Sequence, residues 1–235
     1  MVQGRGGGGT LIWRGHPTGT SFHVGHAHCD TGSFCFYRGG HPVLVDAGRE
    51  TYMVSERGEF VRSALAHNSV CIDGLGPFPA QWLKYPLWYS QATVDTDVKE
   101  ISDGFEIKIR HGGFRRLKNP VDVIRKITVR ENELVIEDEI FGEGEHAIEW
   151  FFHFGDNLIQ GERSNLITGR FGTATLDLDA GGACSVEKFR GREGVLGWYS
   201  PEYGKRLPST VLKVKTLGPI PRMLKCGITF LSGSN

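Results

Sequence analysis

Apolar and polar residues alternate with a period of two over much of this chain, the pattern of strands that bury one face. In ELVIEDEIF, residues 133–141, Leu134, Ile136 and Ile140 fall on one face and Glu137 and Glu139 on the other, while Val135 and Phe141 mark a partly buried second face. The same reading predicts strands over 92–98, 104–111, 121–130, 133–141 and 147–154, spaced as an antiparallel meander with a hairpin turn at Glu131-Asn132. Further strands are expected near 171–178, 184–190, 210–216 and 223–231, each bounded by Gly, Pro or Ser. Toward the start, SFCFYRGGHPVLVDAG reads as two strands around a Gly39-Gly40 turn, within a run of Gly- and Pro-broken strands from Leu11 to Val45.

Three stretches break the alternation. Residues 50–66 are more polar and predict an excursion loop with one short helix, after which SVCIDG returns to strand. GLGPFPAQWLKYPLWYS predicts an irregular, aromatic-rich loop, because proline donates no ladder hydrogen bond. GRGGGGT lacks the Lys-Ser/Thr ending of a phosphate loop and is expected to be a flexible N-terminal stretch. There is no repeat of 20 to 50 residues and no dividing linker, so residues 1–235 are expected to form one all-β domain, a two-layer antiparallel β-sandwich with few short helices.

Composition agrees. The chain has 33 glycines, where average usage would give roughly 16, which favours many tight turns between short strands. Lys plus Arg and Asp plus Glu are equal at 27 each, so no overall field draws nucleic acid or an anionic membrane. No apolar run reaches the roughly 18 residues of a membrane span, and MVQGRGGGGT lacks the apolar centre of a signal peptide, so the chain is expected to be soluble. The five cysteines (29, 35, 71, 184 and 226) are scattered without a CxxC pair and read mostly as small core residues.

The densest chemistry lies in GHAHCDTGSF, residues 25–34. If that segment is extended, His26, His28 and Asp30 project on one side. Two histidines there, with Asp46 at the end of VLVD and His67 after the polar excursion, make a His/His/Asp set that suits zinc, with manganese, iron or nickel chemically possible. Asp30 equally suits capping a turn with Thr31-Gly32. No GxSxG elbow is present, and no local signature pairs a cysteine with a histidine, so nucleophilic catalysis has little support.

GHAHCDTGSFCFYRGGHPVLVDAG followed by RSALAHNSVCIDG resembles the heparinase II/III-like family of polysaccharide lyases. HGGFRRLKNPVDVIRKITV, ELVIEDEIFGEGEHAIEWFFHF and GWYSPEYGK resemble, in the same order, the β-sandwich domain of that family. The resemblance implies that His28, Asp46 and His67 bind zinc as a scaffold, and that His26 points into the substrate cleft as the sandwich's catalytic group. It implies cleavage of uronic-acid polysaccharides, of glycosaminoglycan or alginate type, by β-elimination, and a periplasmic or extracellular location. Family members place an (α/α) toroid before the sandwich; none is expected in this chain, so a helical toroid in cis or in trans is an expected partner beside the acidic polysaccharide, with no nucleic acid or membrane partner.

His23, Tyr52 and Arg62 are candidates to reach the same cleft, although each equally suits a surface hydrogen-bonding role. Arg115 and Arg116 are candidate uronate contacts or a solvated charged face. Two other functions stay open: a non-catalytic metal-containing carbohydrate-binding sandwich, and a cupin-like metalloenzyme, which the absence of a glutamate shortly after the HxH disfavours.

Overall fold

The alternation over 104–142 becomes three long, neighbouring antiparallel strands of an eight-stranded sheet. The structure is a computed structural model that describes residues 2–6, 8–15, 28–53, 55–78, 93–155, 158–159, 165–191 and 194–231. Among these, β1 (Val2–Gly6), β2 (Gly9–Trp13), β3 (Phe34–Arg38) and β4 (His41–Leu44) form a four-stranded sheet in chain order. A short helix α1 (Glu56–Phe60), a 3₁₀ turn (Ala64–Ala66) and β5 (Val70–Ile72) follow. An antiparallel meander then runs through β6 (Val94–Ile101), β7 (Gly104–Phe114), β8 (Val121–Arg130) and β9 (Glu133–Gly142), whereas β10 (Glu145–His153), which the alternation placed in the same meander, crosses into another sheet. The chain continues with β11 (Leu158–Ile159), β12 (Leu166–Gly169), β13 (Gly172–Asp179), β14 (Ser185–Arg190), β15 (Trp198–Tyr199), β16 (Leu207–Pro208), β17 (Thr210–Pro219) and β18 (Arg222–Phe230).

The eight-stranded sheet has the order β11-β12-β13-β18-β9-β8-β7-β6, and a second four-stranded sheet has the order β14-β17-β10-β5. β15 and β16 form a separate small ribbon. The fold is an all-β antiparallel sandwich, as the alternation predicts. One continuous core unites residues from the three larger sheets, including Leu11, Phe36, Ile107, Ile127, Ile136 and Trp150, all 0% exposed. Each large apolar side chain removed from water in this way contributes roughly 1.5–3 kcal/mol.

Local chemistry explains the turns. Gly39 and Gly40 both have positive φ (55° and 78°), which a two-residue hairpin between Arg38 and His41 requires. Ser55 caps α1 by accepting from the Gly58 N–H at 3.1 Å, and the helix stops after a single turn-and-a-half.

Two further expectations need correction. GRGGGGT is not a flexible stretch: its described residues belong to the β1–β2 hairpin, in which Gly6 pairs with Gly9. Glycine is needed there for space, since a Cβ on Gly9 would sit 2.3 Å from the Phe36 ring. The described part of the HxHxD segment is also not a strand. Residues 28–33 turn, with the Ser33 N–H donating to the Asp30 carbonyl at 2.9 Å and Gly32 at φ 76°, and strand pairing begins only at Phe34. The aromatic loop of 79–92 lies outside the described residues.

Candidate metal centre

Three chain segments converge where β4, β10 and the 3₁₀ turn meet. His28 enters on a segment anchored by its neighbour: the Cys29 N–H donates to the Arg62 carbonyl at 2.8 Å, and the Cys29 side chain is buried. Asp46 lies two residues past β4, between a Val45 N–H donated to the His153 carbonyl (2.8 Å) and an Ala47 N–H donated to the Ala66 carbonyl (3.0 Å). His67 directly follows the 3₁₀ turn. The Gly48 N–H donates to Asp46 Oδ1 at 3.0 Å, and only glycine fits at that position, because φ is 68° and a Cβ would meet the Ser200 carbonyl oxygen at 2.1 Å.

His67 Nδ1 donates to Asp46 Oδ2 at 2.5 Å, and the His28 and His67 ring centroids are 5.5 Å apart at an interplanar angle of 35°. The His67 side chain is fully buried, whereas the Asp46 carboxylate is 40% exposed and opens the site to solvent. Burial works against charge on both partners. The Asp46 field and hydrogen bond overcome it at His67 and raise that imidazole's pKa, and His67 with the Gly48 N–H holds the Asp46 carboxyl below the usual range. Burial, and next the His67 charge, lower His28.

Behind these groups lies a buried polar lattice. Asn68 Nδ2 donates to the carbonyls of Phe34 (2.7 Å) and Val45 (2.9 Å), and Asn68 Oδ1 accepts from the His153 N–H (2.7 Å). Arg125 on β8 grips Asp138 on β9 with two hydrogen bonds of 2.7 and 2.6 Å, and its remaining arm donates to the carbonyls of Gly32 (2.8 Å) and Asn68 (2.6 Å). The guanidinium is 3% and the carboxylate 0% exposed, a placement tolerable only because nearly every donor is matched. The eight-stranded sheet thereby fixes both the turn after His28 and the residue after His67.

In residue type, two imidazoles and a carboxylate are ligands of the kind that zinc takes. His67 Nε2 is buried with no hydrogen-bond partner among the described residues, as a nitrogen reserved for a cation would be. The three groups are neighbours in pairs, His28 with His67 and His67 with Asp46. Among the described residues no group of three or more His, Cys, Asp or Glu side chains is placed to hold a metal ion.

The other sequence candidates divide. His23 and His26 lie outside the described residues. Arg62 carries the carbonyl that anchors Cys29, and its Nε is buried with no hydrogen-bond partner among the described residues. Tyr52 is 60% exposed, its ring stacked on that of Tyr203 (5.7 Å, 26°) and covered by the Arg49 guanidinium at 4.2 Å. Asp30 opens the turn that the Ser33 N–H closes on its carbonyl, and its carboxylate is ion-paired with Arg14 at 3.6 Å. Arg115 and Arg116 are engaged within the chain: Arg115 grips Asp122 at 2.6 and 2.7 Å, and Arg116 donates to the carbonyls of Gly76, Pro77 and Gly113. Asn68, Arg125, Asp138 and His153 escaped the sequence reading. A signal for one existed, since Asp138 shares the period-two face of Leu134, Ile136 and Ile140.

The family model for heparinase II/III-like proteins, C-terminal part, matches residues 3–222. The chain belongs to this family. Two solved structures show the same fold. One is a heparinase III, 16% identical, with a TM-score of 0.70 over 93% of this chain and 32% of that one. The other is the heparan sulfate lyase HepC from Pedobacter heparinus, 14% identical, with a TM-score of 0.70 over 97% of this chain and 34% of that one. The chain therefore spans about a third of the length of these heparinase structures. No curated protein matches it in sequence. Membership of the heparinase II/III-like family sets aside the cupin alternative. No helix among the described residues is long and apolar enough to cross a membrane.

Proposed function

We propose that this chain is the sandwich portion of a polysaccharide lyase that cleaves uronic-acid-containing glycans by β-elimination, working outside the cytoplasm with a helical toroid in cis or in trans. The observation that carries the reading is the meeting of His28, His67 and Asp46 in a member of this family. In the reaction a base removes the proton at C5 of the uronate, the electron pair forms the C4–C5 double bond, and the C4–O glycosidic bond breaks. The departing oxygen takes a proton from an acid. No water is consumed.

His28, Asp46 and His67 would hold the zinc, whose contribution when bound is to cross-link their segments rather than to act on the substrate. His26, two residues before His28, is proposed as the catalytic imidazole: neutral it accepts a proton, and charged it binds the uronate carboxylate. Arg62 and Tyr52 are proposed as contacts to the glycan. The buried, unmatched Arg62 Nε supports the first, and the exposed Tyr52–Tyr203 stack supports the second, because a flat aromatic face with a cation beside it suits an acidic sugar ring.

The test is incubation of the purified chain with heparan sulfate, chondroitin sulfate and alginate, alone and with a family toroid supplied in trans, while unsaturated ends are followed by ultraviolet absorbance. Unsaturated product from one of these glycans is expected. A second reading, a carbohydrate-binding sandwich without cleavage, is favoured by the exposed Tyr52–Tyr203 stack with the Arg49 guanidinium 4.2 Å from the Tyr52 ring. Glycan binding with no unsaturated product, even with the toroid present, would select it.

A further inference from the structure

β6 ends the eight-stranded sheet, and among the described residues no strand pairs with its outer edge. Val94 and Ile101 are half-buried, and the six residues between them are exposed. Two rows of side chains cross the sheet to this edge. On the core face Ile136, Ile127 and Ile107, each 0% exposed, lie in register with Val98, which is 53% exposed. On the outer face the residues of β6 stand opposite β7 residues of the other sign: Asp95 by Arg110, Asp97 by Lys108 and Lys99 by Glu106. Both rows stop at an edge of the kind that offers backbone N–H and C=O groups to another strand.

A second copy of β6 completes both rows. In an antiparallel pair, directly opposed residues turn their backbone groups the same way, so a strand meeting its own copy about a two-fold axis sets one residue opposite itself. Asp97 or Lys99 on the axis would face its own charge, and Thr96 on the axis would set Asp95 against the copy's Asp97 twice. Val98 on the axis reverses this: Asp97 faces the copy's Lys99, Lys99 faces the copy's Asp97, and Thr96 faces the copy's Glu100. The outer row then runs Lys108, Asp97, Lys99, Glu106, alternating in sign across the junction, and the apolar row continues from Val98 to its copy. Charges that ordinarily guard an edge here admit one register and oppose the others. β14, at the edge of the second sheet, lacks this property: Glu187 lies an odd number of residues from both Lys188 and Arg190, so no symmetric register sets it against either. With 27 acidic and 27 basic residues, no net charge holds two copies apart.

We infer that β6 is a homodimer interface: two chains pair their β6 strands antiparallel about a two-fold axis at Val98, joining their eight-stranded sheets edge to edge. The dimer requires neither a metal nor a glycan. One strand from each side makes a small contact, so the association is reversible and rises with protein concentration.

The test is sedimentation equilibrium of the whole chain from micromolar to submillimolar concentration, for the parent, for Asp97→Lys and for Lys99→Asp. The parent is expected to dimerise. Each substitution sets like charges face to face at two places across the axis, so each variant alone should dimerise at least about tenfold more weakly. Mixed in equal amounts, the two should recover the dimer, because every swapped charge then meets its opposite on the other chain. Both side chains are exposed, so the variants keep the fold, which thermal melts check. A parent that stays monomeric throughout this range overturns the inference. So does a dimer that survives unchanged in both single variants, or a mixture that stays as monomeric as its components.

Discussion

His67 Nδ1 and Asp46 Oδ2 stand 2.5 Å apart, tying the residue after the 3₁₀ turn to the segment that leaves β4. With the His28 ring 5.5 Å from that of His67 between centroids, three remote segments come together. His28→Ala and His67→Ala are each expected to abolish stoichiometric zinc binding, while His26→Ala keeps the metal and loses only cleavage or glycan binding. At zinc 100-fold above its dissociation constant, the ion stabilises the parent protein by about 2.7 kcal/mol, so its melting temperature exceeds that of the two ligand variants by roughly 5–10 °C. Metal analysis and thermal melts check this, and equal zinc content in His28→Ala would contradict the ligand assignment.

The Arg125–Asp138 pair behaves as a buried strut. Removing one partner strands the other charge, so Arg125→Met and Asp138→Asn should each cost about 3–5 kcal/mol by urea unfolding. Arg125→Lys should rescue little, because an ammonium cannot make the two-pronged grip on Asp138 and also reach the Gly32 and Asn68 carbonyls. A loss below about 1 kcal/mol in Arg125→Met would show that the lattice carries no stability.

Acid sensitivity follows from His111. It is 2% exposed, packed near the rings of Phe78 and Phe114, accepts from the Gly113 N–H at Nδ1 (3.3 Å), and is held down to about 3 by burial first and then by the Arg125 charge, with Asp122 opposing. Unfolded, it binds a proton below its ordinary value of 6.5. Between those values the unfolded state holds the extra proton, so stability falls as pH drops from 6.5 toward 3 and is flat above that window. Urea midpoints at pH 7, 6 and 5 should decline less steeply in His111→Leu, by up to about 1.4 kcal/mol per pH unit. Identical slopes in the two proteins would refute the assignment.

The Tyr52–Tyr203 stack is a surface feature, since the rings are 60% and 66% exposed. Tyr52→Ala and Tyr203→Ala should leave stability within about 0.5 kcal/mol of the parent and weaken binding of uronate oligosaccharides several-fold in calorimetric titration. Unchanged affinity in both would remove these rings from the glycan site.

Much of this molecule was legible along the chain. Period-two alternation determined the long strands β7 to β10, and β8 runs from Val121 to Arg130 where the pattern places it. Paired glycines determined the β3–β4 turn, and HxH with Asp46 and His67 marked a candidate donor set, within which the family resemblance selects His28. Local patterns suffice there because strand direction and turn conformation depend on neighbouring residues. Only the tertiary structure decided that Asp138 is buried against Arg125, that Arg115 and Arg116 are spent on internal partners, and that His153 joins the segments of Asp46 and His67. Those facts arise largely from pairings between groups up to 108 positions apart in the chain, and the free energy of a buried charge or lone pair depends on which distant group comes to meet it.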